Sequence, residues 1–330
     1  MKSFFSGNHE IPRVYSEEVR KKLHDAAGLD DETNYTKEDI LSDKLKDAEY
    51  MFSTWGAPIL TESEISEHLP MLKCVFYGAG TVQYFARPYF HRNIRIFSAW
   101  AANGVPVAEY TASQILLANK GFFLACRRCQ KDRHSAASYA LGGMPGNFKT
   151  KVGIIGAGMI GKMVIKRLKQ DGIIPIIYDP FLSDEKAAEL GVKKAELAEI
   201  FSTCTVISNH VANLPSTVGM FDYSLFSQMK KNAVFINTGR GAQVVEDDLI
   251  RALKEEPNRS AVLDVTYPEP PSRNSELLSL ENVFLTPHIA GSSGGELERM
   301  GDYMLDQFEK VMRGEKCEYE VTENMLATMA

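Results

Sequence analysis

The sequence predicts an α/β protein of two doubly wound domains, each a parallel sheet covered by helices. Three observations carry that expectation. A chain of 330 residues is long enough for two domains with separate cores. Its second half alternates short, β-branched-rich runs with helical stretches. The first strand of that half runs directly into Gly156-Ala157-Gly158-Met159-Ile160-Gly161, a glycine turn where a strand meets a helix.

In the first half, residues 2–6, 50–54, 74–77 and 94–98 read as strands, bounded by Gly, Pro or polar residues. Residues 17–27 and 62–69 read as helices, and Thr61 with Glu64 fits a capping box at the start of the second. From 107 to about 131 the pattern becomes one long helix, with Ala108, Ile115, Ala118, Phe122 and Ala125 near helical spacing. It is read as the crossing between domains, followed by a Gly/Pro-rich loop over 141–146. Residues 152–155, 173–178, 206–209, 234–237, 261–265 and 283–286 then read as six strands. They lack alternation, as expected of strands buried on both faces. A last helix over 296–312 leads to a short tail.

Composition removes several classes of function. There are 37 Lys and Arg against 43 Asp and Glu, a formal charge of −6, which argues against nonspecific nucleic-acid binding. The most apolar run, 96–108, is interrupted by Asn103, Gly104 and Pro106 and is too short to span a bilayer. The start, MKSFFSGNHE, lacks the apolar core of a signal peptide. Five cysteines in a long chain read as reduced thiols, so the expectation is a cytoplasmic protein. Cys126 and Cys129 form a C-x-x-C inside a predicted helix with no second pair, and Cys204 and Cys317 add no ligand spacing; no metal site is expected. His68, His91 and His134 lie in polar stretches and read as surface residues without partners.

The glycine turn has a specific chemistry. Gly156 permits the tight turn, Gly158 lets backbone approach a pyrophosphate, and Gly161 allows close packing of helix on strand. The free N–H groups opening the next helix, with Met159 and Ile160 in its first turn, favour an anion. The following strand ends at Asp179, where a carboxylate accepts hydrogen bonds from ribose hydroxyls. Asp179 would repel a 2′-phosphate, and residues 180–185 contain no Lys or Arg, so NAD is expected rather than NADP.

Three polar residues follow later strands: Arg240 in Ile-Asn-Thr-Gly-Arg-Gly, Glu269 in Asp-Val-Thr-Tyr-Pro-Glu-Pro, and His288 in Thr-Pro-His-Ile-Ala-Gly. Ligands of open α/β sheets bind outside the carboxyl ends of strands, so these three are expected at one crevice. A guanidinium binds a carboxylate bidentately. A histidine exchanges a proton near neutral pH, and a glutamate can orient it and stabilise its charged form. Trp55 and Trp100 follow first-half strands, and a pocket reading weighs about equally with a core reading for each.

These residues resemble the D-isomer-specific 2-hydroxyacid dehydrogenase family over nearly the whole chain, most strongly from Lys151 to Gly291 and in Val107-Ala108-Glu109. The resemblance implies that Arg240 holds the substrate carboxylate, that His288 is the acid–base residue and that Glu269 pairs with it. It implies that Asp264 and Thr238 lie at the nicotinamide and that His210 and Thr217 belong to a loop under the cofactor. That loop has Ala212 and Leu214 where Pro and Thr are usual. Gly78-Ala79-Gly80 is similar to the family's loop whose amides meet the substrate carboxylate, and Asn103 falls before the hinge helix. The implied fold is a Rossmann-like NAD domain over residues 108–296 and a discontinuous, flavodoxin-like substrate domain, residues 1–107 with 297–330. Such domains close over the substrate, and the family is typically dimeric, so a homodimer acting on a small 2-hydroxy or 2-oxo acid is implied. Alternatives within the family are a phosphoglycerate dehydrogenase or a hydroxypyruvate or glyoxylate reductase. A formate dehydrogenase is disfavoured, because its usual Gln partner of the histidine is here Glu269. The alternative from another class is an NADH-sensing corepressor, a binding protein.

Overall fold

The computed structural model describes residues 2–327 and 329. The chain divides into two compact units: residues 1–104 with 292–330, and residues 105–291. Among the described residues, no helix is long and apolar enough to cross a membrane.

The first unit is built on strands β1 (Ser3–Phe5), β2 (Leu29–Asn34), β3 (Tyr50–Ser53), β4 (Cys74–Tyr77) and β5 (Arg95–Ser98). They lie parallel in the order β2-β1-β3-β4-β5, the flavodoxin-like arrangement. The tail is not structureless: Glu320 and Val321 form a short strand antiparallel to β5 at the far edge. Phe52, Phe76 and Phe97 occupy matched positions on β3, β4 and β5. Their rings stack at 5.1 and 4.9 Å. Phe308, on the helix Glu296–Arg313, stands edge-on to Phe52 and Phe76 at 5.6 and 5.7 Å. Such aromatic pairs add roughly 0.5–1.5 kcal/mol each beyond area burial, which ties the returning helix to this sheet.

The second unit contains β6 (Lys151–Ile155), β7 (Ile174–Tyr178), β8 (Lys193–Lys194), β9 (Val206–Asn209), β10 (Val234–Asn237), β11 (Ser260–Leu263) and β12 (Val283–Leu285). All are parallel, in the order β8-β7-β6-β9-β10-β11-β12. Strand order therefore reverses between β6 and β9. At such a switch point the two crossovers leave to opposite sides and open a crevice at the carboxyl ends. Both sheets are of the doubly wound type that the sequence predicts.

Two expectations are corrected along the connecting region. The helix starts at Trp100 rather than 107 and runs to Asn119, through Asn103, Gly104 and Pro106. Proline there forfeits one intrahelical bond, while Ala108, Ala112, Ile115 and Ala118 bury one face against the second unit's core. The helix then breaks at Gly121, whose φ of +68° is left-handed, before Phe122–Cys129 resumes. A third helix, Arg133–Gly143, occupies the start of the stretch read as a loop.

Candidate active site

At the switch point β6 delivers the glycine turn. Gly156 has φ +100°, and a Cβ there would lie 2.7 Å from the His210 carbonyl oxygen. At Gly161 a Cβ would sit 2.0 Å from the Gly156 oxygen, so only glycine lets the helix Met159–Gln170 begin this close to the strand. Gly158 caps that helix, and a Cβ on it would meet nothing within 4 Å: this is open space beside the helix start. The first helical bond runs from Lys162 N–H to the Gly158 oxygen at 3.1 Å, so the amides of Met159, Ile160 and Gly161 have no partner within the helix. Turn, open space and free amides together fit a dinucleotide's pyrophosphate. Asp179 stands where the sequence places it, just beyond β7. Its carboxylate also accepts the Ala157 N–H at 2.6 Å and the Phe181 N–H at 2.7 Å. It thus fastens the glycine turn to the next loop and keeps lone pairs for ribose hydroxyls.

After β9, the His210 N–H donates to the Ile155 oxygen at 2.7 Å. Its ring lies 2.9 Å from the Ser208 hydroxyl, and desolvation pushes the imidazole down to about 4, so it is neutral at pH 7. The Thr217 hydroxyl bonds to the Ala212 and Leu214 oxygens at 2.9 Å each and receives the Leu214 N–H at 3.0 Å, folding the loop on itself. Sequence reasoning missed the group beneath it. Asn209 and Asn237 end β9 and β10; Asn209 donates to Asn237 and Gln243 side-chain oxygens at 2.9 and 2.6 Å. Gln243 donates to the Val211 and Ala212 oxygens at 3.1 and 2.9 Å and accepts the Arg240 N–H at 3.1 Å. These buried amides lock the His210 loop to the Arg240 loop. The signal was present: an Asn ends each of two buried strands, Val-Ile-Ser-Asn and Val-Phe-Ile-Asn.

Arg240 follows β10 at the same sheet end. Burial lowers its affinity for a proton against the pull of the Glu269 charge, and its Nη1 donates to the Gly239 oxygen at 2.8 Å. A guanidinium drawn partly out of water is suited to an anion. Glu269 and His288 meet: His288 Nδ1 lies 2.6 Å from Glu269 Oε1, with both side chains partly exposed. They line a hollow of about 380 Å³ with Asp264, Thr286 and Pro270. His288 has φ +56°, a left-handed conformation unusual for a side chain with a Cβ. Thr238 lies 3.2 Å from Thr111, hydroxyl to hydroxyl. Asp264 is buried, and its carboxylate takes the Thr286 hydroxyl at 2.6 Å and the Ile289 and Ala290 amides at 2.9 Å.

In the first unit, Trp55, Gly78–Gly80 and Trp100 follow β3, β4 and β5 and so share one end of that sheet. The Gly78 and Ala79 amides are bonded to the Ser53 and Tyr77 oxygens at 2.7 and 2.8 Å, which takes two of the three expected anion donors. Trp55 packs against the cores on both sheet faces, as a side chain at a sheet end does. Trp100 stands edge-on to Tyr319 at 6.2 Å, and its indole N–H is buried with no partner among the described residues. His68 and His91 are not solitary: each pairs with a carboxylate, Asp43 at 2.7 Å and Glu62 at 2.5 Å. Among the described residues no cluster of His, Cys, Asp and Glu could hold a metal ion.

Residues 113–290 match the family model of the D-isomer specific 2-hydroxyacid dehydrogenase NAD-binding domain. The chain is 33% identical over 307 residues to a D-3-phosphoglycerate dehydrogenase of Methanocaldococcus jannaschii, covering 92% of this chain and 57% of that protein. It is 30% identical over 298 residues to the human D-3-phosphoglycerate dehydrogenase, covering 89% and 54%. It thus spans little more than half the length of these relatives. Among solved structures, apo D-mandelate dehydrogenase of Rhodotorula graminis superposes with a TM-score of 0.81 at 19% identity, covering 98% of this chain and 97% of that one.

Proposed function

The chain belongs to the D-isomer-specific 2-hydroxyacid dehydrogenases, and from that premise we propose that it is an NAD-dependent oxidoreductase interconverting a D-2-hydroxy acid and a 2-oxo acid. The observation that carries the reading is the 2.6 Å Glu269–His288 contact at the sheet end that also bears the desolvated Arg240. Arg240 holds the substrate carboxylate and draws charge from the adjacent carbonyl. His288 gives a proton to the carbonyl oxygen in reduction and takes it from the hydroxyl in oxidation. Glu269 accepts from Nδ1, which fixes the ring and leaves Nε2 for the substrate oxygen. The amides of Met159, Ile160 and Gly161 receive the pyrophosphate, and Asp179 the adenosine ribose. His210 with Thr217, and Thr238 with Asp264, are read as the walls against the nicotinamide half. When bound, NAD supplies the hydride acceptor, or NADH the hydride donor.

We read the working protein as a cytoplasmic homodimer on the strength of the family resemblance and its five free cysteines; light scattering tests the dimer. In the first unit, Trp55, Trp100 and the Gly80 amide are assigned to the substrate. The residues just beyond β1, β3, β4 and β5, 6–9, 54–57, 78–81 and 99–102, include no Lys or Arg, and Lys37 follows only the edge strand β2. That favours a 2-oxo acid with an apolar side chain over a phosphorylated one.

Steady-state oxidation of NADH by 2-oxo acids tests the reading. Turnover is expected, with kcat/KM for NADH at least about tenfold above NADPH because of Asp179. Arg240→Lys keeps the charge and loses the fork, so kcat/KM for the oxo acid should fall about a hundredfold with NADH affinity unchanged. NADH binding without turnover of any 2-oxo acid would instead favour a binding protein.

A further inference from the structure

His288 holds a left-handed backbone, φ +56°, a conformation uncommon for any residue with a Cβ. Three consecutive amides explain how it is kept. The His288 N–H donates to the Asp264 carbonyl oxygen at 2.9 Å. The Ile289 and Ala290 N–H groups go to the two oxygens of the Asp264 carboxylate, also at 2.9 Å. The turn is therefore a nest of backbone donors wrapped around an internal anion. Behind it the hydrogen-bond direction follows from counting protons. Thr286 spends its single hydroxyl proton on Asp264 at 2.6 Å. Tyr110, 2.9 Å from the same hydroxyl oxygen, must then be the donor to it. Tyr110 sits on the helix Trp100–Asn119, and the line runs Tyr110 to Thr286 to Asp264 to the His288 turn.

We propose that Asp264, Thr286 and Tyr110 are positioning residues that hold the His288 ring against Glu269, so that the acid–base group is aimed from the helix rather than by its own loop. The structural claim stands on geometry alone; its catalytic consequence rests on the function proposed above. Among the described residues, Glu269 meets the His288 ring, Asp264 and Tyr110 stand behind the turn, and Arg240 feels the charge of Glu269.

The test compares Thr286→Val with Thr286→Ser. Valine keeps the volume and loses the hydroxyl; serine keeps the hydroxyl and loses a methyl. Nitrogen shifts of labelled histidine, with His288 assigned by its loss in His288→Gln, report the neutral tautomer without any need for turnover. In the wild type the Nδ1–H form should dominate, because Glu269 accepts from Nδ1. Thr286→Val should shift the population toward Nε2–H and lower kcat about tenfold, with KM for NADH within about twofold. Thr286→Ser should restore both, and Tyr110→Phe should move both in the direction of valine by less. If valine behaves as wild type while serine is impaired, the residue acts by packing and the proposal is overturned. An unchanged tautomer in both Thr286→Val and Tyr110→Phe would overturn it equally. A tautomer that shifts in a protein turning over no 2-oxo acid would retain the positioning line and remove the dehydrogenase reading instead.

Discussion

His210 shows how far a residue's chemistry departs from its sequence context. Nothing in Ser-Asn-His-Val-Ala marks its ring as withdrawn from water, yet desolvation pushes the imidazole of this half-buried residue down to about 4. In the unfolded chain the ring titrates near 6.5. Between those values the unfolded state binds a proton that the folded state does not, so this group costs stability progressively as pH falls from about 6.5 toward 4 and contributes nothing above. At pH 5 the loss should be roughly 1–2 kcal/mol. His210→Gln should therefore narrow the gap between urea midpoints measured at pH 7.5 and pH 5; an undiminished gap would mean the ring is not desolvated. Arg240, Glu269 and His288 were legible as candidates because their types are costly or reactive at a strand's carboxyl end. Thr286, Tyr110, Asn209 and Gln243 were not, because an ordinary hydroxyl or amide declares its role only through its partners. Asp264 was legible only through resemblance; its geometry adds the brace under the His288 turn.

The elements that the sequence shows well are those whose pattern is set by burial. Residues 74–77, 206–209 and 234–237 coincide with their strands because each opens on an apolar run and is buried along its whole length. The edge strands β2 and β8, Leu-Asp-Asp-Glu-Thr-Asn and Lys-Lys, were unread because edges are protected from stray pairing by charge and brevity. Loops between strands are where close approach decides geometry. A Cβ on Gly241 would fall 2.0 Å from the Thr266 carbonyl carbon and 2.1 Å from its oxygen, backbone atoms that cannot swing away. That contact fixes the loop bearing Arg240 against the loop leading to Glu269. Gly241→Ala should destabilise the protein by about 2–3 kcal/mol and lower kcat/KM, because the two loops must part. Gly295→Ala, where a Cβ meets nothing within 4 Å, should change neither. Thermal melts of the two variants check this, and equal melting temperatures would mean the Thr266 backbone yields freely.

Over the whole molecule, the strand ends of the two doubly wound sheets differ in chemistry. The second unit presents free amides, Asp179 and the Arg240, Glu269 and His288 group at its strand ends, all polar and suited to a dinucleotide and a reacting carboxylate. The first presents Trp55, Trp100 and a glycine turn, with no Lys or Arg in the segments that follow β1, β3, β4 and β5, while Lys37 follows the edge strand β2. On the proposed assignment of Trp55 and Trp100 to the substrate, a dianionic phosphate beside them would lose water with no Lys or Arg in the segments after β1, β3, β4 and β5, whereas an apolar side chain would gain about 25 cal/mol per Å² of its buried surface. In kcat/KM, branched and aromatic 2-oxo acids should therefore exceed a phosphorylated 2-oxo acid by at least about tenfold. Removing one indole should relax the size limit: Trp55→Ala or Trp100→Ala should move the ranking toward bulkier oxo acids by about tenfold. Trp55 is the stronger candidate, since it spans the sheet end, while Trp100 is partly committed to Tyr319. The decisive measurement is the rank order itself, taken for wild type and both variants at one NADH concentration. A phosphorylated acid at the head of the wild-type ranking would mean that charge is supplied from outside these segments and would overturn the apolar assignment, while the hydride chemistry would stand. A variant that melts earlier but ranks its substrates unchanged would place that tryptophan in the core, and selection by size would then have to come from the other.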